Sequence, residues 1–109
     1  MNILGIESSC DDTAASIVDD KKNILSNIII SQNEVHHPYK GVVPELAARN
    51  HVYNIDSVVI KALEDANISL DKVDLVSATA GPGLIGGLLV GLMAGKIIAQ
   101  SRNLPFVAV

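Results

Sequence analysis

Seven consecutive residues, Glu7, Ser8, Ser9, Cys10, Asp11, Asp12 and Thr13, gather three carboxylates, three hydroxyls and a thiol in one short stretch. An apolar run of strand length leads into it, and a second, Ala14 to Val18, leads out, so the stretch reads as a hairpin tip. Hydroxyls and free backbone N–H groups on such a tip can hold a phosphate. Glu7, Asp11 and Asp12 are close enough to hold a hydrated Mg²⁺ or to orient a nucleophile. The competing reading is an ordinary Asx-type turn whose carboxylates bond their own backbone. A second stretch, Thr79 to Gly91, is suited to backbone contact. Glycine lets the chain approach a ligand closely, and the free N–H groups of the helical turn that follows form an anion site, so Gly81, Pro82 and Gly83 are assigned to phosphate or substrate proximity. Gly87, Gly91 and Gly95 recur at four-residue spacing, a stripe without side chains that lets a helix pack tightly on its sheet or on another helix.

The elements that must carry these residues follow a simple order. Strands are expected near 2–7 and 13–19, and the charged turn Asp19-Asp20-Lys21-Lys22-Asn23 leads into a third, Ile-rich strand over 24–31. A loop from Gln32 to Gly41 follows. Pro44 then opens a long helix over 43–66, with Glu45 at the positive end of its dipole. Ala48, Val52, Ile55, Val59, Ala62 and Ala66 step by four, three, four, three and four, the period of one buried face, and Asn67 ends the helix. Val73 to Ala78 reads as a parallel strand covered on both faces. A second helix starts at Leu84, and a fifth strand starts at Leu104.

The chain of 109 residues is 49% apolar with 3% aromatic content, enough for one domain with an aliphatic core. Net charge is −4 and the basic residues are scattered, so no nucleic-acid footprint is visible. Cys10 is the single cysteine, which excludes an intrachain disulfide and a zinc cysteine set and fits a reducing compartment, the cytoplasm. The uncharged run from Val76 to Gly95 has the length of a membrane span. Gly81-Pro82-Gly83 cuts it into a strand and a separate helix, so no membrane segment is expected. His36 and His37 read as solvated loop residues and His51 as a structural residue on a polar helix face, so no metal ligand is assigned among them.

Three antiparallel strands, helix, strand, helix, strand is the order of the ribonuclease-H-like half of the actin, Hsp70 and sugar-kinase ATPases. This α/β arrangement predicts a mixed sheet in the order 3-2-1-4-5. Ligand contacts in open α/β sheets lie beyond the C-terminal ends of the strands, and residues 1–109 end in the fifth strand. The expectation is an N-terminal lobe of this actin-like ATPase type, truncated there, with the second lobe absent.

Gly5 to Thr13, Ser31-Gln32, Tyr39 with Gly41 to Arg49, His51, and Thr79 to Gly91 together resemble the N-terminal third of the bacterial TsaD family. These are the tRNA N6-adenosine threonylcarbamoyltransferases, formerly called glycoproteases. The resemblance implies transfer of threonylcarbamoyl from its adenylate to N6 of the tRNA adenosine 3′ of the anticodon. It also implies an ATP-type nucleotide, one divalent metal (Fe, Zn or Mg), and a complex with a shorter TsaB-type paralogue and a TsaE-type ATPase subunit. Asp11, Asp12 and Glu7 become the candidate catalytic residues, and Ser8, Ser9 and Cys10 join the glycine turn beside the nucleotide.

Two positions depart from the family pattern. Asp12 stands where Glu is usual, withdrawing the charge by one methylene, and Lys40 replaces the first glycine of a pair, leaving Gly41 to supply a left-handed turn. The family's metal-binding His-x-x-x-His lies beyond these residues, so the chain alone is expected to be inactive and to bind no metal tightly. Two other classes compete: a non-catalytic paralogous scaffold of the same complex, and a sugar-kinase-like ATPase, whose usual Asp-x-Gly-Thr tip Glu7-Ser8-Ser9-Cys10 does not match. Val58 and Leu63 of the first helix, and Leu84, Ile85, Leu88, Leu89, Leu92, Met93, Ile97 and Ile98 of the second, carry apolar surface beyond what one sheet needs. A partner interface there, or self-association of the isolated chain, is expected.

Overall fold

The computed structural model describes residues 1–109. Strands β1 (Asn2–Glu7), β2 (Asp12–Asp19) and β3 (Ile24–Ser31) form an antiparallel meander. A one-turn helix α1 (Asn33–His36) and a 3-10 turn (His37–Tyr39) occupy the stretch expected to be an open loop. The long helix α2 (Pro44–Asp65) leads through a 3-10 turn (Leu70–Lys72) to β4 (Leu75–Ala78), helix α3 (Ile85–Ser101) and β5 (Phe106–Ala108). The sheet order is 3-2-1-4-5, with β4 parallel to β1 and β5 parallel to β4, as the sequence predicts.

Both long helices lie on one face of the sheet: α2 packs on β2 and β3, α3 on β1, β4 and β5, and the helices on each other. Alternation along the strands supplies the core, because every second side chain faces the helices. Leu4, Ile6, Ala15, Ile17, Val76 and Ala78 meet Ile55, Val58 and Ala62 there. The opposite face holds a cavity of ≈ 370 Å³ floored by small residues such as Gly5, Ser16 and Ser77, with Glu7 and Thr79 among its lining. No helix is long and apolar enough to cross a membrane.

The inward stripe of α2 differs from its apolar period. Ala47, His51, Ile55, Val58, Val59 and Ala62 are buried, while Val52 is 62% exposed. Val58 therefore belongs to the core and not to a surplus surface, and Leu63 packs partly buried against it. Leu88 of α3 is buried as well. A hydrophobic period prefers Val52 to its neighbour His51, but the imidazole finds buried polar partners that Val52 could not serve. Polar groups with partners enter cores at little cost.

The turn before α2 also departs from expectation. Lys40 itself takes the left-handed conformation (φ 56°), and no glycine has positive φ. Its amide caps the 3-10 turn by donating to the His37 carbonyl at 3.1 Å. His36 is 4% exposed, not solvated: Nε2 lies 2.7 Å from Gln32 Oε1, and Nδ1 accepts from the Val43 amide at 3.1 Å. Its neighbour His37 is exposed.

Candidate functional site

The β1–β2 tip is held from outside itself. Ser8 is 2% exposed; its hydroxyl donates to the Gly87 carbonyl at 2.7 Å and accepts from the Gly91 amide at 2.9 Å. Those two groups are i and i+4 of α3, the pair an uninterrupted helix bonds together, so Ser8 is stitched into the helix ladder. The glycine stripe makes room for this. A Cβ on Gly91 would overlap Ser8 Oγ, one on Gly87 would sit 2.8 Å from the Ser8 carbonyl, and one on Gly95 2.9 Å from the Phe106 ring. Tight packing of α3 on the sheet, expected from the spacing, is what these three residues provide.

Ser9 ties the tip to the glycine turn. Its carbonyl accepts from the Leu84 amide at 2.8 Å, and a Cβ on Gly83 would lie 2.6 Å from that same oxygen. Tip and turn, distant in sequence, are thus one unit at the C-terminal ends of β1 and β4. Gly81 and Pro82 are exposed, and the peptide bond between them is cis.

Glu7 is occupied within the fold. One carboxylate oxygen accepts from the Ser9 amide, and the other accepts from Thr79 Oγ1 at 2.8 Å. Burial pushes the Glu7 carboxyl up, but the hydrogen bonds of Ser9 and Thr79 outweigh it and hold the group below the usual glutamate range. Burial, then the adjacent Asp11 and Asp12 carboxylates, raise the Cys10 thiol, so it stays protonated at neutral pH although the residue is exposed.

Asp11 and Asp12 differ from Glu7. Neither carboxylate accepts an N–H from any residue of the chain, so the self-bonded Asx turn does not form here. A cavity of ≈ 230 Å³ is lined by Glu7, Ser9, Cys10, Asp11 and Asp12. Asp11 also borders a second, of ≈ 400 Å³, whose walls include Asn33, His37 and Lys40. The amides of Cys10 and of Ile85, Gly86 and Gly87 at the uncapped start of α3 donate to no backbone carbonyl or side chain of the chain, and that of Asp11 faces the Cys10 sulfur. Free N–H groups at a helix start favour an anion, and loose carboxylates beside them suit proton transfer.

The residues present do not compose a divalent-metal set. No group of three His, Cys, Asp or Glu converges, and both ring nitrogens of His36 and of His51 are engaged.

Two contributors lay outside the sequence-derived set. Thr79 follows β4 as Glu7 closes β1, and the parallel register Ile6↔Ala78 makes them neighbours, a relation available once the strand order was assumed. His51 is fully buried, facing the tip from α2. Its signal was hidden because an apolar residue stands beside it.

Comparison with known proteins gives a consistent picture. The model of the family described as TsaD, tRNA N6-adenosine threonylcarbamoyltransferase, matches residues 23–109. Curated proteins carrying that same description include one from Brucella anthropi, 58% identical over all of this chain, and one from Rickettsia bellii, 55% identical over 98% of it. The chain spans 32% and 31% of their lengths, about a third. Among solved structures, YeaZ from Pseudomonas aeruginosa superposes with a TM-score of 0.71 at 17% identity, covering 99% of this chain and 42% of that one. Thermus thermophilus RuvC gives 0.59 at 16% identity, over all of this chain and 64% of its own. At such identities the likeness is one of fold, the ribonuclease-H-like sheet with its helices.

Proposed function

This chain belongs to the TsaD family of tRNA N6-adenosine threonylcarbamoyltransferases, and from that premise we propose that its β1–β2 tip and glycine turn form part of the reaction site. The reaction moves threonylcarbamoyl from its adenylate to N6 of the adenosine 3′ of the anticodon. N6 attacks the carbamoyl carbon, a C–N bond forms, the C–O bond to the adenylate phosphate breaks, and AMP leaves with the electron pair. The attacking amine gives up one proton, and Asp11 or Asp12 takes it. The free amides of Cys10 and the start of α3 bind the phosphate as its charge grows on departure. Glu7, already bonded twice, fixes the Ser9 backbone.

The observation that carries this reading is the contrast in bonding. The backbone of the tip is tied to α2, α3 and the glycine turn, while its two aspartates are left without N–H partners beside open amides. A site so arranged holds its reactive groups in place and keeps them available. The divalent metal of the family would be held by residues outside this chain. The scaffold reading is less well supported, since a scaffold has no use for carboxylates that accept no N–H beside free amides.

The partners follow the family. A TsaB-type paralogue is proposed to cover the outer side of the helix pair, where Val52, Ile60, Ile85, Leu89, Met93 and Ile97 are each about half or more exposed. Of the surplus expected from the sequence, Val58 and Leu88 are buried and Leu63 is partly so, while Ile85, Leu89, Met93 and Ile97 are exposed and repeat every four residues along α3. Exposed apolar stripes of this kind mark interfaces, and the same stripe would let the isolated chain self-associate. A TsaE-type ATPase and tRNA complete the complex, with the cytoplasm as its compartment. The test is transfer of labelled threonylcarbamoyl to N6 by a chain of the family's full length carrying this sequence, with and without Asp11→Ala plus Asp12→Ala. Loss of transfer with retained folding is expected; undiminished transfer by the double variant would overturn the assignment.

A further inference from the structure

We propose that His51 is a positioning residue for Asp11 and Asp12, holding the two ends of the segment that contains them. The imidazole has no exposed surface. Nε2 is 3.0 Å from the Cys10 carbonyl and Nδ1 is 2.7 Å from Thr13 Oγ1. A carbonyl only accepts, so Nε2 carries the hydrogen. In the neutral ring Nδ1 then accepts, and Thr13 donates its hydroxyl proton to it. The bonds therefore fall on Cys10 and Thr13, the residues immediately before and after the aspartate pair. Asp12 and Thr13 begin β2 and pair with Ser31 and Ile30 of β3, whereas Cys10 and Asp11 lie outside any strand, so the His51 bonds anchor the start of β2 and the Cys10–Asp11 backbone that leads into it.

The ring is itself fixed. It sits on the buried face of α2 between Ala47 and Ile55, one turn to either side. Its Cδ2–Nε2 edge meets α3, where a Cβ on Gly87 would lie 3.0 Å from Cδ2 and 3.2 Å from Nε2. A rigid ring with both nitrogens satisfied transmits the position of two packed helices to Cys10 and to Thr13 at the start of β2. A loop held only by its own turn would leave the carboxylates free to wander by an ångström or more, which is enough to cost about a hundredfold in rate.

This inference rests on the proposed reaction site for its catalytic consequence, but its structural part can be measured separately. The full-length chain is compared with H51F, which fills the space without nitrogens, H51Q, whose amide can reach the Cys10 carbonyl from the Nε2 position, and T13V, which removes the donor to Nδ1. Amide hydrogen exchange at the start of β2 (Asp12 and Thr13) and steady-state transfer are both read. For H51F and T13V, exchange there is expected to rise about tenfold or more while the rest of β2 and the other strands keep their protection. kcat should fall about tenfold to a hundredfold with KM for the adenylated donor nearly unchanged, and H51Q should recover part of both. Unchanged exchange at Asp12 and Thr13 in T13V, which spares the core if H51F fails to fold, would overturn the proposal. So would a variant with looser exchange there and wild-type kcat. If the unaltered protein transfers nothing, the reading of the reaction site fails, and the exchange measurement alone decides whether His51 holds the tip.

Discussion

The molecule contains two acidic hairpin turns, and they are built on opposite plans. The β2–β3 turn is self-contained: Asp19 Oδ1 accepts from the amides of Lys21 and Asn23, both at 2.9 Å, and Asn23 Nδ2 donates to Oδ2 at 2.9 Å. Lys22 takes the left-handed conformation the turn needs, with φ 67°. The β1–β2 tip also carries an Asp-Asp pair, but apart from the Glu7–Ser9 bond it is tied to α2, α3 and the glycine turn, and its aspartates have no N–H partner. A carboxylate spent on its own backbone stabilises a turn; one whose backbone is held by distant elements stays available for chemistry.

The sharpest break in this comparison comes from deleting one aspartate on each side. In the full-length chain, Asp11→Ala should cut turnover by about a hundredfold or more with little change in melting temperature. Asp19→Ala should do the reverse, lowering the melting temperature modestly and leaving turnover alone. A variant at Asp11 that melts early but turns over normally would make the two turns alike. Next in size is Gly91→Ala, whose methyl would collide with Ser8 Oγ, with an expected loss of about 1–3 kcal/mol by denaturant unfolding. The same change at Gly81, where an added Cβ meets nothing within 4 Å, should leave unfolding nearly unchanged.

The smallest effect is one of pH. Because the Glu7 carboxyl is held below its ordinary range, the folded form binds its proton less readily than the unfolded form. Its contribution is therefore fully present above the unfolded glutamate pKa and is lost as pH falls through the lower folded value. Glu7→Gln should flatten that acid-side loss in a melting-temperature series, and an unaltered slope would show that the Ser9 and Thr79 bonds do not favour the ionised form.

The two turns also differ in how far they could be read from the letters. The meander, the long helix and β4 follow from periodicity and turn chemistry, which are local, and the sheet order follows from the element order and right-handed crossovers. The Asp19 turn is equally local. The tip's acidic cluster and the glycine turn could be singled out as chemistry, and the glycine stripe as close packing. What ties them together could not, because Ser8 in the α3 ladder and His51 against Cys10 and Thr13 join residues 79 and 83, and 41 and 38, positions apart. His51 was obscured by Val52 in an apolar period, and His36 by a neighbour, His37, that is solvated. Lys40 adopts a backbone usually given to glycine, and the cap it makes on the 3-10 turn is a contact no composition rule contains.

The central claim, that the tip and the start of α3 face the reacting nucleotide, is tested most directly by titrating AMP, the leaving product, into the isotopically labelled full-length chain and following backbone amide shifts. The account predicts the largest changes at Cys10, Asp11, Ile85, Gly86 and Gly87, with Lys21 to Asn23 unmoved. Shifts centred on Ser16, Asn27 and Ser77 of the open sheet face, with the tip silent, would contradict it.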